Sequence, residues 1–210
     1  MRLLREYIRE LLTEAAKGPA DLPEGTWVQI LSQGNDDVKI SYVDNMGEEN
    51  TSSSTGHEGE LTPPPYGEIM IEKASSASES FGECGDAYMV TYSEAEHGWG
   101  PLLYDVAMEW ATLNGGGVIG DRTGVSGAAH DVWNYYLGKR GDVKSHQLDD
   151  LMNTLTPDIE EDNCEQRVAG QLYGTDTGPA EWVDSPLSKR YTKSPTTMGQ
   201  LDQLGRLIEL

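Results

Sequence analysis

The chain has 210 residues, a formal net charge of -21 and 37% hydrophobic residues, enough apolar material for the core of one domain with an appendage. A surface that negative repels phosphate backbones and anionic lipid, so nucleic-acid and membrane-surface functions are excluded from the expectation. With only one Phe, the aromatic packing falls to Trp and Tyr, whose polar tips need partners when buried.

In chain order, residues 2–17 predict an amphipathic helix. Leu3, Leu4, Tyr7, Ile8, Leu11 and Leu12 form one stripe, Arg2, Arg5, Glu6, Arg9, Glu10 and Glu14 the other face, and Gly18-Pro19 ends it. The apolar positions are interrupted too often for a secretory leader, and no apolar run spans a bilayer. Residues 1–18 are therefore read as a helix that either packs on its own domain or docks to a protein partner or second copy. Residues 19–25 are read as a linker and 26–210 as the domain.

Strands are predicted over Trp27–Ser32 and Val38–Val43 with a turn between them, a polar loop over residues 44–66, a strand over Gly67–Ala74, a loop to Asp86 and a strand over Tyr88–Tyr92. After Ser93–Pro101 comes a helix, Leu102–Leu113, burying Leu103, Val106, Ala107, Trp110 and Ala111. Gly115–Gly117 breaks it before a short strand, Val118–Gly120, and a helix, Val125–Leu137, with Ser126 as a cap at its start. Further on, the expectations are a helix over Leu148–Leu155, a charged loop over Asp158–Gln166, a late strand over Glu181–Asp184 and a terminal helix over Met198–Leu210. This order implies an α/β domain with helices packed against a sheet.

The sharpest chemical feature is the strand–His97-Gly-Trp-Gly-Pro101–helix passage. Gly98 and Gly100 let backbone N–H groups approach a ligand, and Pro101 suits the first helical turn. A helix start offers free donors and partial positive charge to a phosphate. The same turn also serves as a plain tight connection.

Cys84 and Cys164 have no metal-type spacing and are read as two reduced thiols, with one disulfide between them as the alternative. His57, His97, His130 and His146 also lack metal-type spacing. Asp158–Asp162 lacks the turn glycine of a calcium loop, so no metal site is expected. Asp121, at the end of a short strand, is read as a candidate functional carboxylate or as the partner of Arg122 in a structural ion pair.

The segment YMVTYSEAEHGWGPLLYDVAMEW resembles the central strand, pyrophosphate loop and following helix of the GNAT family of N-acetyltransferases, and GGVIGDRTGVSGAAHDVWNYY resembles that family's next strand and helix. The likeness covers about residues 67–140. Together with the leader, it is also similar to uncharacterised phage proteins of acetyltransferase-like type. It implies a GNAT-like mixed, mainly antiparallel central sheet flanked by helices, and acetyl-CoA as cofactor. It further implies that Met89, Val90 and Thr91 contact the pantetheine arm, that Gly98, Trp99 and Gly100 hold the pyrophosphate by backbone amides with His97 beside them, and that Tyr135 or Tyr136 donates a proton to the leaving thiolate. Ala95 stands where the family has Gln or Arg. The implied activity is acetyl transfer to a basic small molecule or lysine amine. The alternative is a non-catalytic virion or accessory protein of the same fold, placed in the host cytoplasm or the phage particle.

Overall fold

The computed structural model describes residues 16–34, 36–44, 66–74, 86–120, 127–148 and 183–210. The predicted helix over residues 2–17 lies almost wholly outside them, as do Asp121, Arg122, Ser126, both cysteines, His57 and residues 149–182.

After a single 3-10 turn at Pro19–Asp21, the chain forms β1 (Thr26–Gln33), β2 (Asp37–Asp44), β3 (Gly67–Lys73) and β4 (Tyr88–Ala95). Helix α1 (Gly100–Asn114), β5 (Val118–Gly120), α2 (Gly127–Lys139) and β6 (Val143–Gln147) follow. The last elements are β7 (Lys189–Lys193), α3 (Thr196–Gln203) and β8 (Leu207–Glu209). One eight-stranded sheet has the order β6-β7-β5-β4-β3-β2-β1-β8. Its pairs are antiparallel except β4 with β5 and β1 with β8, which are parallel. The α/β class and the mixed, mainly antiparallel sheet expected from the sequence are thus both present.

Alternation along the strands sends one set of side chains to the helix-bearing face. Val28, Ile30, Val38, Ile40, Tyr42, Ile69, Ile71, Tyr88, Val90 and Val118 there join α1, Trp133 and Tyr136 of α2, and Met198 and Leu201 of α3 in one core. Met89 and Ile119 point the other way, into a small cluster with Ala74, Ala87 and Leu148. Helix α1 is buried along its whole middle, Leu102 to Ala111, including Asp105 and Glu109. Such all-round burial marks a helix packed between layers rather than a surface helix.

Two expectations are corrected. Val183 and Asp184 are not in the sheet, and the late strand is Lys189–Lys193. Its inward positions carry Lys189, Tyr191 and Lys193, a pattern that apolar alternation does not reveal. The terminal helix stops at Gln203. Gly205 turns the chain at φ 63, and Leu207–Glu209 then adds to β1 in parallel register. Edge strand β6 was not anticipated at all, since Val143-Lys-Ser-His-Gln147 offers a single aliphatic residue.

Residues 19–25, expected as a linker, lie against the domain together with residues 16–18. The Lys17 amide donates to the Gly98 carbonyl, and Leu22 packs on the core.

Candidate functional site

Strand β4 positions the site. Its first residues pair with β5 as Tyr88↔Val118, Met89↔Ile119 and Val90↔Gly120. On its other side the register with β3 shifts, with Ile71 opposite Val90 but Met70 opposite Tyr92. Thr91 is therefore the extra residue of a β-bulge. A bulge bends its strand and steepens the local twist, and this one falls immediately after the last residue paired with β5. From Thr91 to Ala95 the β5-facing edge of β4 has no strand partner among the described residues.

The strand ends in a turn in which the Trp99 amide donates to the Glu96 carbonyl (3.0 Å) and Gly98 takes φ 86. That φ strains any residue with a Cβ. The turn is fixed from below by aromatic packing. Trp99 is 2% exposed, with the rings of Tyr42 and Tyr66 centred 5.3 and 4.9 Å from its own. The Tyr42 hydroxyl donates to the Trp99 carbonyl (2.8 Å), and burial pushes that phenol far above its ordinary range. The Tyr66 carbonyl accepts from the Glu96 amide (3.0 Å).

Helix α1 then starts at Gly100 with Pro101 behind it and no side-chain cap, so its first-turn N–H donors are not taken by a capping side chain. The Tyr136 hydroxyl lies 3.0 Å from both the Pro101 carbonyl and Asp105 Oδ1. Arg140 bridges Asp105 Oδ2 (2.8 Å) to Asp142, which it grips through two nitrogens at 2.8 and 2.7 Å. Burial raises the Asp105 carboxyl above the usual carboxylate range, with Arg140, Lys193 and Tyr136 opposing it. Asp142 is lowered to about 2, chiefly by its hydrogen bonds to Arg140.

The sign for Asp142 follows from that depression. Its contribution to stability is present above the unfolded carboxylate pKa and is lost as pH falls toward the folded value. Urea unfolding of the wild type and Asp142→Asn should therefore differ by a constant amount above pH ~5, a gap that closes between pH ~4 and ~2. A gap independent of pH would contradict the Arg140 pairing.

The sequence-predicted residues distribute as follows. Met89 and Val90 are buried within the β4–β5 pairing, and Thr91 is exposed at the bulge. His97 is exposed on the turn. The Gly98 carbonyl takes the Lys17 amide, the Trp99 amide is occupied inside the turn, and Gly100 heads α1. One strand, turn and helix start thus carry all seven. Tyr136 is buried and reaches that helix start, whereas Tyr135 is half-buried with its ring edge-on to Tyr136.

Sequence reasoning missed Lys17. Its Nζ lies 4.4 Å from the centroid of the Trp99 ring, which brings a cation to a turn flanked by exposed Glu94 and Glu96. It also missed Ser93, Tyr104, Asp105 and Arg140. The Tyr and Asp spacing along α1 was visible, but the partners lie on other elements. Among the described residues, no group of three or more His, Cys, Asp or Glu side chains is placed to hold a metal, and no helix is long and apolar enough to cross a membrane. Comparison with protein-family models, with curated proteins and with solved structures returns no match.

Proposed function

We propose that the chain is an acetyltransferase-like protein of GNAT type, an acetyl-CoA-dependent N-acetyltransferase acting on a basic small molecule or a lysine amine. The observation that carries this reading is the bulged strand β4. Its described pairing with β5 ends at Val90↔Gly120, and it runs through the Gly98–Pro101 turn into the uncapped start of α1.

In α/β sheets, ligands bind outside the carboxyl ends of the parallel strands, where β4 leads into this turn. The residues present fit the cofactor in two respects. The backbone of β4 from Thr91 to Ala95, beyond the last described pair with β5, would receive an extended arm, and Gly100 with the first turn of α1 offers N–H groups to a pyrophosphate. Lys17 adds the cation that Ala95 does not supply. When bound, acetyl-CoA supplies an activated acetyl thioester. The chain's own part is to align it along β4, attract a cationic acceptor through Glu94, Glu96 and the overall charge of -21, and protonate the leaving group through a tyrosine. Of the two tyrosines considered, Tyr135 is the better donor, because the Tyr136 hydroxyl is already directed at Pro101 and Asp105.

A second reading, a non-catalytic virion or accessory protein of this fold, draws on one observation. The Trp99 amide already donates to the Glu96 carbonyl within the fold, which removes one of the turn's donors for a phosphate.

Calorimetric titration with acetyl-CoA separates the two. Gly100→Glu is a clean probe, since a Cβ at Gly100 meets only Ala95 Cβ at 3.7 Å, an ordinary contact, so the fold should tolerate it. Saturable wild-type binding that Gly100→Glu abolishes is expected. Lys17→Ala should weaken it about two- to fivefold, the scale of an exposed charge pair. No heat at millimolar cofactor with folded protein would remove the enzyme reading and leave the second.

A further inference from the structure

Five charged side chains meet where α1, β7 and the corner between α2 and β6 pack together. Asp105 and Glu109 come from α1, Lys193 from β7, and Arg140 and Asp142 from the corner. Three carboxylates thus face two cations, and they are not equally served. Glu109 pairs with Lys193 and accepts two backbone amides of α3, and Arg140 grips Asp142 through two nitrogens. Buried Asp105 receives one shared Arg140 nitrogen at 2.8 Å and the Tyr136 hydroxyl at 3.0 Å, with the Lys193 ammonium 4.0 Å away. Tyr42 of β2, the other titratable group that feels its charge, is a phenol and adds no cation. The surplus negative charge therefore falls on Asp105.

Tyr136 has one hydroxyl hydrogen and two acceptors, Asp105 Oδ1 and the Pro101 carbonyl, both at 3.0 Å. An ionised Asp105 takes that hydrogen, because a charged acceptor outcompetes a neutral one. A proton bound from solvent on Oδ1, the oxygen that Arg140 leaves free, reverses the bond. Asp105 then donates to the phenol oxygen, and the Tyr136 O–H turns to the Pro101 carbonyl. We propose that Asp105 and Tyr136 form a proton-operated hydrogen-bond switch that sets how strongly the start of α1 holds an anion. The inference rests on the reading in which that helix start receives the anionic part of the cofactor, and it adds regulation of the same site. A hydrogen bond to the Pro101 carbonyl polarises the Pro101–Leu102 peptide and makes the Leu102 N–H a stronger donor. The neutral carboxyl also removes a repelling charge one turn along the helix. Both effects act in one direction, so anion affinity rises as pH falls, and a bound anion favours the protonated carboxyl. Burial holds Asp105 above the usual carboxylate range, which sets the switch apart from the exposed carboxylates.

The test is carbon NMR of the full chain labelled at aspartate Cγ and tyrosine Cζ, titrated without ligand, with sulfate affinity measured over the same pH range. Sulfate stays dianionic there, so its own titration does not enter. The Asp105 and Tyr136 signals are expected to move together, at a midpoint above that of the exposed carboxylates. In Tyr136→Phe, Asp105 should still titrate but at higher pH, having lost a donor to its charged form. In Asp105→Asn, the Tyr136 signal should no longer move. Wild-type protein should bind sulfate about three- to tenfold more tightly below the midpoint than above it, the range of one hydrogen bond, over and above the change in Asp105→Asn, which accounts for the general loss of negative charge. A Tyr136 signal that stays flat while Asp105 titrates would overturn the switch, as would an Asp105 that stays ionised until the protein unfolds. A coupled titration with the same sulfate behaviour in wild type and Asp105→Asn would overturn its effect on the anion. A coupled titration in a protein that binds no sulfate at either pH would overturn the helix-start reading together with that effect, a result distinct from a failed titration.

Discussion

Replacing Lys193 with Met is expected to destabilise the fold by about 3–5 kcal/mol, the cost of leaving a buried charge without its partner. Lys193 is 3% exposed and Glu109 is fully buried, and their side chains form an ion pair. The Lys193 ammonium also donates to Thr196 and Thr197 at 3.0 and 2.8 Å. The Glu109 carboxylate accepts from the backbone amides of Thr197 and Met198, both at 2.7 Å. It does for α3 what an N-cap side chain normally does, since Pro195 occupies that position and provides no cap bond. The pair therefore ties α1 to β7 and caps the helix that carries the chain across to β8. Without the ammonium, the carboxylate is left charged in the core.

Adding Glu109→Gln should recover part of the loss, because the amide oxygen still accepts from a helix N–H while the charge is gone. Urea unfolding reads both effects, the first as a midpoint shift of about 1 M or more. A midpoint within error of wild type would contradict the pairing.

The same pair explains much of what was and was not legible in the sequence. Strands β1 to β5 and helices α1 and α2 were readable because their buried positions are apolar at a period of two or about four, as in Val28, Ile30 and Leu103, Val106, Ala107. Strand β7 was not, because two of its three inward residues are lysines made acceptable by partners distant in sequence or outside the strand, Glu109 for Lys193 and Gln147, the Val183 carbonyl and Ser188 for Lys189. The terminal helix was overextended because Leu207 and Ile208 fit either period, and only pairing with β1 decides for a strand.

At the site, the turn and helix start were visible through local glycine and proline chemistry. The bulge at Thr91 was not, since it is a property of register between two strands, and neither was Lys17, whose approach to Trp99 depends on how residues 16–25 settle on the domain. The hydroxyl pair of Ser93 and Tyr104, 2.9 Å apart, was hidden for a similar reason: its members belong to different elements, and only packing brings them together.

Gly67→Ala is the second substitution expected to act strongly, with a stability loss of roughly 2–6 kcal/mol from combined strain and overpacking. Gly67 has φ 123, outside the range open to L side chains, and a Cβ there would stand 2.2 Å from the Glu94 carbonyl oxygen and 2.5 Å from Ala95 Cα. Both neighbours are backbone, so no side chain can turn aside. Relief requires β3 to draw away from β4 at the Gly67↔Ala95 pair, the last rung before the Gly98–Pro101 turn. Tyr66, whose carbonyl holds the Glu96 amide and whose ring packs on Trp99, would move with it.

On the proposed acetyl-CoA reading, the change should therefore lower cofactor affinity by more than about tenfold, since small displacements of positioned groups carry large effects. Gly199→Ala is the control: it lies within α3, a Cβ there meets nothing within 4 Å, and it should be neutral or stabilising by about 0.4–1 kcal/mol. Urea unfolding and calorimetry on the two variants separate the outcomes. A destabilised Gly67→Ala that keeps wild-type affinity would mean that the turn is held by the aromatic cluster of Tyr42 and Trp99 alone. An undisturbed stability would contradict the close approach of β3 to the end of β4.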